Sequence, residues 1–329
     1  MQRYAGQGLP ENASAAVITI DALGNYVVAT PLFQMLKAAH PGLKLDYYGG
    51  TRVAELAQAE PLIDRHFALY GHPPHTFRPE HTYDLVVNFE FSPYAMSIAS
   101  MLAGESGIVV GPAISNDGRS ELAWLQDERG RLGADPDWTA SDLSQRYPIL
   151  KSGFIGEIFC RLCGLQGDLP SPRVPLERTQ SPVDVVVSAT AKTPDKLWPA
   201  DSWVRLTKEL KDGGVSVGVV GAKPSQAQFW TGGDAEQRMI EEAGAADLRG
   251  VYSLPQVGGV LQSCRCTLSL DNGLLHMAAA VGGRCVGLYR HGIHRLWAPP
   301  VDTLAVLEPG KGRDVADIPF DLVASALQI

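Results

Sequence analysis

One short stretch gathers side chains able to hold an anion. Ser269-Leu270-Asp271-Asn272-Gly273-Leu274-Leu275-His276 brings a carboxylate, a carboxamide, a glycine and an imidazole together. Asp271-Asn272-Gly273 suits a tight turn that also caps a helix. A strand running straight into a helix start leaves backbone N–H groups pointing outward, where the amides and the helix dipole favour negative charge. Gly273 lacks the Cβ that would keep a diphosphate away, Asp271 can accept from ribose hydroxyls, and His276 lies one turn into the helix. Ser188-Ala-Thr190-Ala-Lys192-Thr-Pro-Asp-Lys196-Leu-Trp198-Pro199 adds hydroxyls and two lysines, the types that hold phosphate oxygens. Lys192 and Lys196 also suit a solvated loop, and Trp198 a packing anchor. Arg290-His291-Gly292-Ile-His294-Arg295 follows another strand. The eight histidines are scattered without a His-x-His, and Asp135-Pro136-Asp137 reads as a turn. The chemistry implied is a metal-free diphosphate site built from amides, a helix dipole and lysine.

The elements that must position these residues alternate regularly. Apolar runs at 15–20, 43–48, 63–69, 83–89 and 107–110 read as strands, with helical patterns at 26–39, 53–59 and 94–103. A turn at Asp21-Ala-Leu-Gly24-Asn25 precedes the first helix, and Pro31 sits early enough in it to be tolerated or to kink it. From Gly111 to Tyr147 the pattern fails, and the segment is expected to be an acceptor-side loop or lid. A helix resumes at 149–163. Leu169-Pro-Ser-Pro-Arg-Val-Pro175 and Ser181-Pro182 form the best linker. Beyond it, strands are expected at 183–188, 215–220, 266–270 and 284–288, and helices at 202–211, 235–243, 254–261, 274–281 and 321–327. This predicts two doubly wound α/β domains, residues 1–175 and 176–329, facing across a cleft that takes ligands at the carboxyl ends of both sheets.

Composition narrows the partners. The 329 residues suit two domains of ~150 each, and a net charge of −8 without a basic run argues against nucleic acid. Any membrane contact would be peripheral. With no long apolar run and no basic-then-apolar leader, the chain is expected in the cytoplasm. Five cysteines do not make a disulfide framework; Cys160 and Cys163 share one face of a helix and suit burial better than metal or redox work.

With these residues in view, the sequence resembles glycosyltransferase family 9, the heptosyltransferases of lipopolysaccharide assembly, which have the two-domain GT-B fold. The likeness lies in Asp247-Leu-Arg-Gly250, Ser253-Leu254 and Ser269-Leu-Asp-Asn-Gly-Leu-Leu-His-Met-Ala-Ala-Ala280. Asp195-Lys196-Leu-Trp198-Pro199 and Arg295-Leu-Trp297-Ala-Pro299 add to it, as does Ala22-Leu-Gly24-Asn25 through Thr30-Pro31-Leu32. It covers nearly the whole chain and is looser from Gly71 to Pro175. The resemblance implies that Asp271, Asn272, Gly273 and His276 bind the ribose and diphosphate of a nucleotide-sugar donor. Lys196 would neutralise the leaving diphosphate, with Ser188, Thr190 and Lys192 lining the same site. Gly24 and Asn25 would lie on the acceptor side.

Two positions depart from the family pattern. The family's general base is an Asp directly after the first-turn glycine, and Asn25 stands there. A carboxamide cannot take a proton from a hydroxyl, so it could only orient one. Asp21 and Glu90 are the alternative carboxylates. At Gly221-Ala222-Lys223 the family often carries an acidic residue touching the nucleoside, so Lys223 leaves the donor base open. The expectation is an inverting, metal-independent transferase moving a sugar, foremost heptose from ADP-heptose, to a hydroxyl of a glycan, lipid-linked or small-molecule acceptor. The alternatives are a non-catalytic nucleotide-sugar-binding or partner protein and a nucleotide-sugar epimerase.

Overall fold

The computed structural model describes residues 1–19, 22–70, 77–223 and 230–329. They fall into two units, Met1–Pro170 and Ser171–Ile329, dividing inside the proline-rich stretch. Among the described residues no helix is long and apolar enough to cross a membrane.

The first unit is built on strands β1 (Gln2–Arg3), β2 (Ser14–Ile18), β3 (Lys44–Gly50), β4 (Arg65–Tyr70), β5 (Leu85–Asn88) and β6 (Ile108–Val110). Its helices are α1 (Leu23–Ala39), α2 (Ala54–Ala59), α3 (Pro93–Ala103), α4 (Glu128–Gly133), α5 (Leu143–Arg146) and α6 (Ile155–Leu162). The sheet is parallel throughout, in the order β1-β6-β5-β2-β3-β4. Parallel strands are covered on both faces, which is why β5 is a continuous apolar run up to Asn88 and wholly buried. Ala16, Ile18, Val86, Ile98, Leu102 and Val109 are among its core residues.

Helix α1 begins at Leu23 rather than Tyr26, so Gly24 and Asn25 lie in its first turn and not in a preceding loop. It also runs unbroken through Pro31. A proline has no N–H for the carbonyl four residues back, here that of Val27. The Thr30 hydroxyl donates to that oxygen at 2.8 Å, supplying a substitute partner. The 111–147 segment is less of a loop than its composition suggests. It holds α4 and α5, buries Leu132, Trp138 and Leu143, and takes hydrogen bonds from the Arg3 guanidinium through Gly111, Leu122 and Ala123 carbonyls.

The second unit comprises β7 (Val185–Ser188), α7 (Ala200–Asp212), β8 (Val217–Val219), α8 (Gly233–Ala243), β9 (Ala246–Asp247) and α9 (Leu254–Ser263). It continues with β10 (Cys266–Leu270), α10 (Gly273–Ala280), β11 (Cys285–Leu288), α11 (His294–Trp297), β12 (Leu304–Leu307) and α12 (Phe320–Leu327). Its parallel sheet has the order β12-β11-β10-β7-β8-β9. Val185, Val187, Trp203, Met239, Leu268, Leu270 and Val286 belong to its core. Two doubly wound α/β units are therefore observed, as expected. Each reverses its strand order once, between β2 and β5 and between β7 and β10. Such reversal points are where open α/β sheets bind ligands, outside the carboxyl ends of the strands.

Candidate functional site

The reversal point of the second unit is occupied by the two motifs that the sequence singles out. Strand β10 ends at Leu270, and α10 starts three residues later at Gly273 with Asn272 as its cap. The Asn272 side chain accepts from the Leu274 and Leu275 amides at 2.9 and 3.2 Å and from the Ser269 hydroxyl at 3.1 Å. Its amide donates to the Ser188 hydroxyl and the Thr190 carbonyl, each at 3.0 Å. Asn272 is thus engaged by the protein itself, tying the turn after β10 to the turn after β7. Ser188 is buried under that tie, and Thr190 is half-buried above it.

Asp271 lies beside this stitch, 7 % exposed. Lys196 donates to its Oδ2 at 2.6 Å, and the His276 Nε2 stands 3.6 Å from its Oδ1. Burial alone would raise the Asp271 carboxyl, but the imidazole and the ammonium outweigh it and hold the group at about 2. At 3.6 Å the imidazole is too far for a good hydrogen bond, so Lys196 is the stronger partner. The Nδ1 of His276 and the hydroxyl of Tyr289, both buried, have no hydrogen-bond partner among the described residues. Burial and the Asp271 charge push the Tyr289 phenol far above its ordinary value. Arg290, next in the chain, donates to Asp195 at 2.7 Å, so cations and carboxylates alternate along this rim.

A carboxyl that the sequence reading missed underlies the site. Glu236, in the first turn of α8, is 3 % exposed and accepts from the Ala189 amide at 3.1 Å. Burial pushes it up to about 7, against the pull of the Ala189 amide and of Arg249. Glu236 and Asn272 therefore grip the Ser188–Thr190 turn from two sides. A signal was available: Ala235, Met239 and Ala243 form the buried stripe of α8, and Glu236 sits on its margin. Lys192 and Lys223 are exposed. The Lys223 stem crosses Gly250, whose φ of +63° and lack of a Cβ both make a glycine necessary there.

In the first unit the reversal point brings Asn25 and Glu90 together, with the Asn25 amide donating to Glu90 Oε1 at 3.2 Å. Glu90 is 8 % exposed. Its backbone is fixed by Asn88, which accepts from the Glu90 N–H at 2.9 Å and donates to the Glu90 and Pro112 carbonyls at 2.8 and 2.7 Å. Gly111 permits this, because a Cβ there would meet the Asn88 carbonyl at 1.9 Å. Gly24 neighbours Asn25 in the same helical turn. Asp21 lies outside the described residues.

The remaining motifs have structural roles. Cys160 and Cys163 are buried, and burial pushes the Cys160 thiol up to about 12, which leaves it unreactive. Asp135 accepts from the Asp137 amide at 2.9 Å in a turn and pairs with Arg146. Trp198 is buried and donates to the Ile318 carbonyl at 2.9 Å. Among the described residues no group of three His, Cys, Asp or Glu could hold a metal ion.

Residues 169–308 match the model of Glycosyltransferase family 9 (heptosyltransferase). A solved glycosyl transferase family 9 protein from Veillonella parvula is 13 % identical, with a TM-score of 0.73 and 98 % of each chain covered. The ADP-heptose lps heptosyltransferase II of E. coli is 18 % identical, with a TM-score of 0.65, covering 96 % of this chain and 97 % of its own. E. coli heptosyltransferase WaaC with ADP is 17 % identical, with a TM-score of 0.66 and coverages of 96 and 99 %. At these identities the structural likenesses establish the fold. No curated protein matches the chain in sequence.

Proposed function

We propose that the chain, whose residues 169–308 match the glycosyltransferase family 9 model, works as a member of that family: an inverting, metal-independent transferase of a sugar from a nucleotide-diphosphate donor, foremost ADP-heptose, to an acceptor hydroxyl. The second unit binds the donor. Asp271 meets the ribose, while the Gly273 amide, His276 and the Ser188–Thr190 turn face the diphosphate, with Lys192 and Lys223 at the margins. Lys196 neutralises the charge that grows on the departing diphosphate. Interactions that strengthen as that charge develops lower the barrier instead of only tightening binding.

The first unit binds the acceptor, and Glu90 is its general base. The observation that carries the reading is the Asn25–Glu90 hydrogen bond of 3.2 Å. The carboxamide that stands in the family's base position is in direct contact with a carboxylate. Asn25 then orients the pair, and Glu90 removes the hydroxyl proton as the new glycosidic bond forms. This favours a working transferase over a degenerate binder.

The reading is tested by following ADP release from ADP-heptose with and without a panel of sugar acceptors. Release that depends on an acceptor is expected. Glu90→Gln should lower the rate about 10²–10⁴-fold while calorimetric ADP affinity stays unchanged, and Asp271→Ala should weaken ADP. Full turnover by Glu90→Gln removes Glu90 as base.

A further inference from the structure

Directly after Glu90 the chain exposes a flat aromatic ring. Phe91 is 57 % exposed, and among the exposed large apolar side chains of the described residues it alone is aromatic; the others are Met101, Val251, Leu322 and Ile329. The ring is braced. Its edge contact is Trp138, with centroids 5.8 Å apart and planes at 70°. Trp138 is itself pinned by its indole N–H to the Leu132 carbonyl at 2.8 Å and packs edge-on against Phe159 at 5.9 Å. Phe159 stacks on Phe89 at 3.7 Å. Three aromatic residues from three parts of the unit thus hold a fourth in water. The ordinary role of a ring at that position, just before the Ser92 cap of α3, is to staple the helix start. A staple does not require a buried brace of aromatic rings.

We propose that Phe91 is the platform for the acceptor, and that the acceptor presents a pyranose ring whose C–H face lies on it. The inference rests on the reading of Glu90 as the base. Consecutive Cα atoms are about 3.8 Å apart, so the ring is carried by the backbone position next to the carboxylate. A pyranose has what such a pair recognises: an apolar face for the aromatic ring, and a rim of hydroxyls for the carboxylate. An acyl chain would need a longer apolar track. The neighbouring Ser92 and Ser97 are exposed and polar, which interrupts any such track.

Binding is measured directly, without turnover, by saturation-transfer NMR on the full chain. The probes are methyl β-D-glucopyranoside, methyl β-D-galactopyranoside and methyl α-D-mannopyranoside. Sorbitol, which has hydroxyls but no ring face, and cyclohexanol, which has a ring with a single hydroxyl, are the controls. At least one pyranoside is expected to bind saturably, with sorbitol and cyclohexanol at least about fivefold weaker. Phe91→Ala and Phe91→Leu should both weaken it about fivefold or more, since leucine keeps the apolar volume but not the flat face. Phe91→Tyr should stay within about twofold, and an unchanged calorimetric melting profile certifies that each variant is folded. Absence of binding by all three pyranosides, unchanged binding in Phe91→Leu, or equal binding of cyclohexanol overturns the proposal. Glu90→Gln separates the two readings. Phe91-dependent pyranoside binding together with undiminished transfer by Glu90→Gln refutes the base and leaves the platform standing.

Discussion

Replacing Glu236 by glutamine should make the protein more stable at pH 8 and leave it nearly unchanged at pH 4.5. The carboxyl lies near 7 in the folded chain against an ordinary value of 4.5, because burial penalises its charged form. Between those two pH values the folded chain binds more protons than the unfolded one, so stability from this group falls as pH rises. The full contribution is present below 4.5 and gone above about 7. At about 1.4 kcal/mol per pH unit, the loss amounts to about 3 kcal/mol. Glutamine keeps an oxygen for the Ala189 amide and carries no charge, so it escapes the loss. Differential scanning calorimetry of both proteins from pH 4.5 to 8.5 reads the difference. A gain of roughly 5–10 °C at pH 8 is expected for a unit of this size, in the transition of the second unit only. A variant and wild type separated by the same interval at pH 5 and pH 8 would show that Glu236 is not held protonated by burial, and the reasoning would fail.

Asp271 has the opposite sign. Its carboxyl is held at about 2 against an ordinary 3.8, so it stabilises above pH 4 by about 2 kcal/mol. That support is lost as pH falls towards 2, and acid titration of Asp271→Asn should lack this step. Asn272→Ala removes a helix cap together with the tie to Ser188 and Thr190. Unfolding should record a loss of about 2 kcal/mol, and calorimetry a weaker affinity for ADP. Thr30→Val leaves the Val27 carbonyl without its hydroxyl donor, at a cost of about 1 kcal/mol in denaturant titration. Arg161→Met strands Glu157, its partner at 2.9 Å with both side chains buried. It should cost about 3–5 kcal/mol, only part of it recovered in Arg161→Met with Glu157→Gln, because Arg161 also donates to the Ile149, Leu165 and Gly167 carbonyls.

The parts legible in the sequence are those where local chemistry and tertiary demand agree. Strand β10 has the bounds that its apolar run predicts, and α10 follows at its Asn272 cap, because buried parallel strands and capped helices are each written in contiguous residues. Glu90, a candidate from the sequence, is adjacent to Asn25 only because the sheet brings residues 65 positions apart into contact. Strands β1 and β9 escaped notice for that same reason. Gln2-Arg3 has no apolar run, and it is a strand because β6 accepts it. The 111–147 segment reads as open because its anchors are distant in sequence. Arg3 reaches it from the other end of the unit, desolvated enough to bring its guanidinium down to about 10. Glu236 was hidden by its type, since a glutamate on a helix margin ordinarily faces water.

The pairing of β1 with β6 also bears on how the molecule is made. Gln2 lies opposite Ile108, and Arg3 opposite Val109. During synthesis, β1 cannot dock on β6 until more than a hundred further residues have left the ribosome. β1 is thus translated well before the strand that seats it, and closure over so large a span makes that edge a late event in folding.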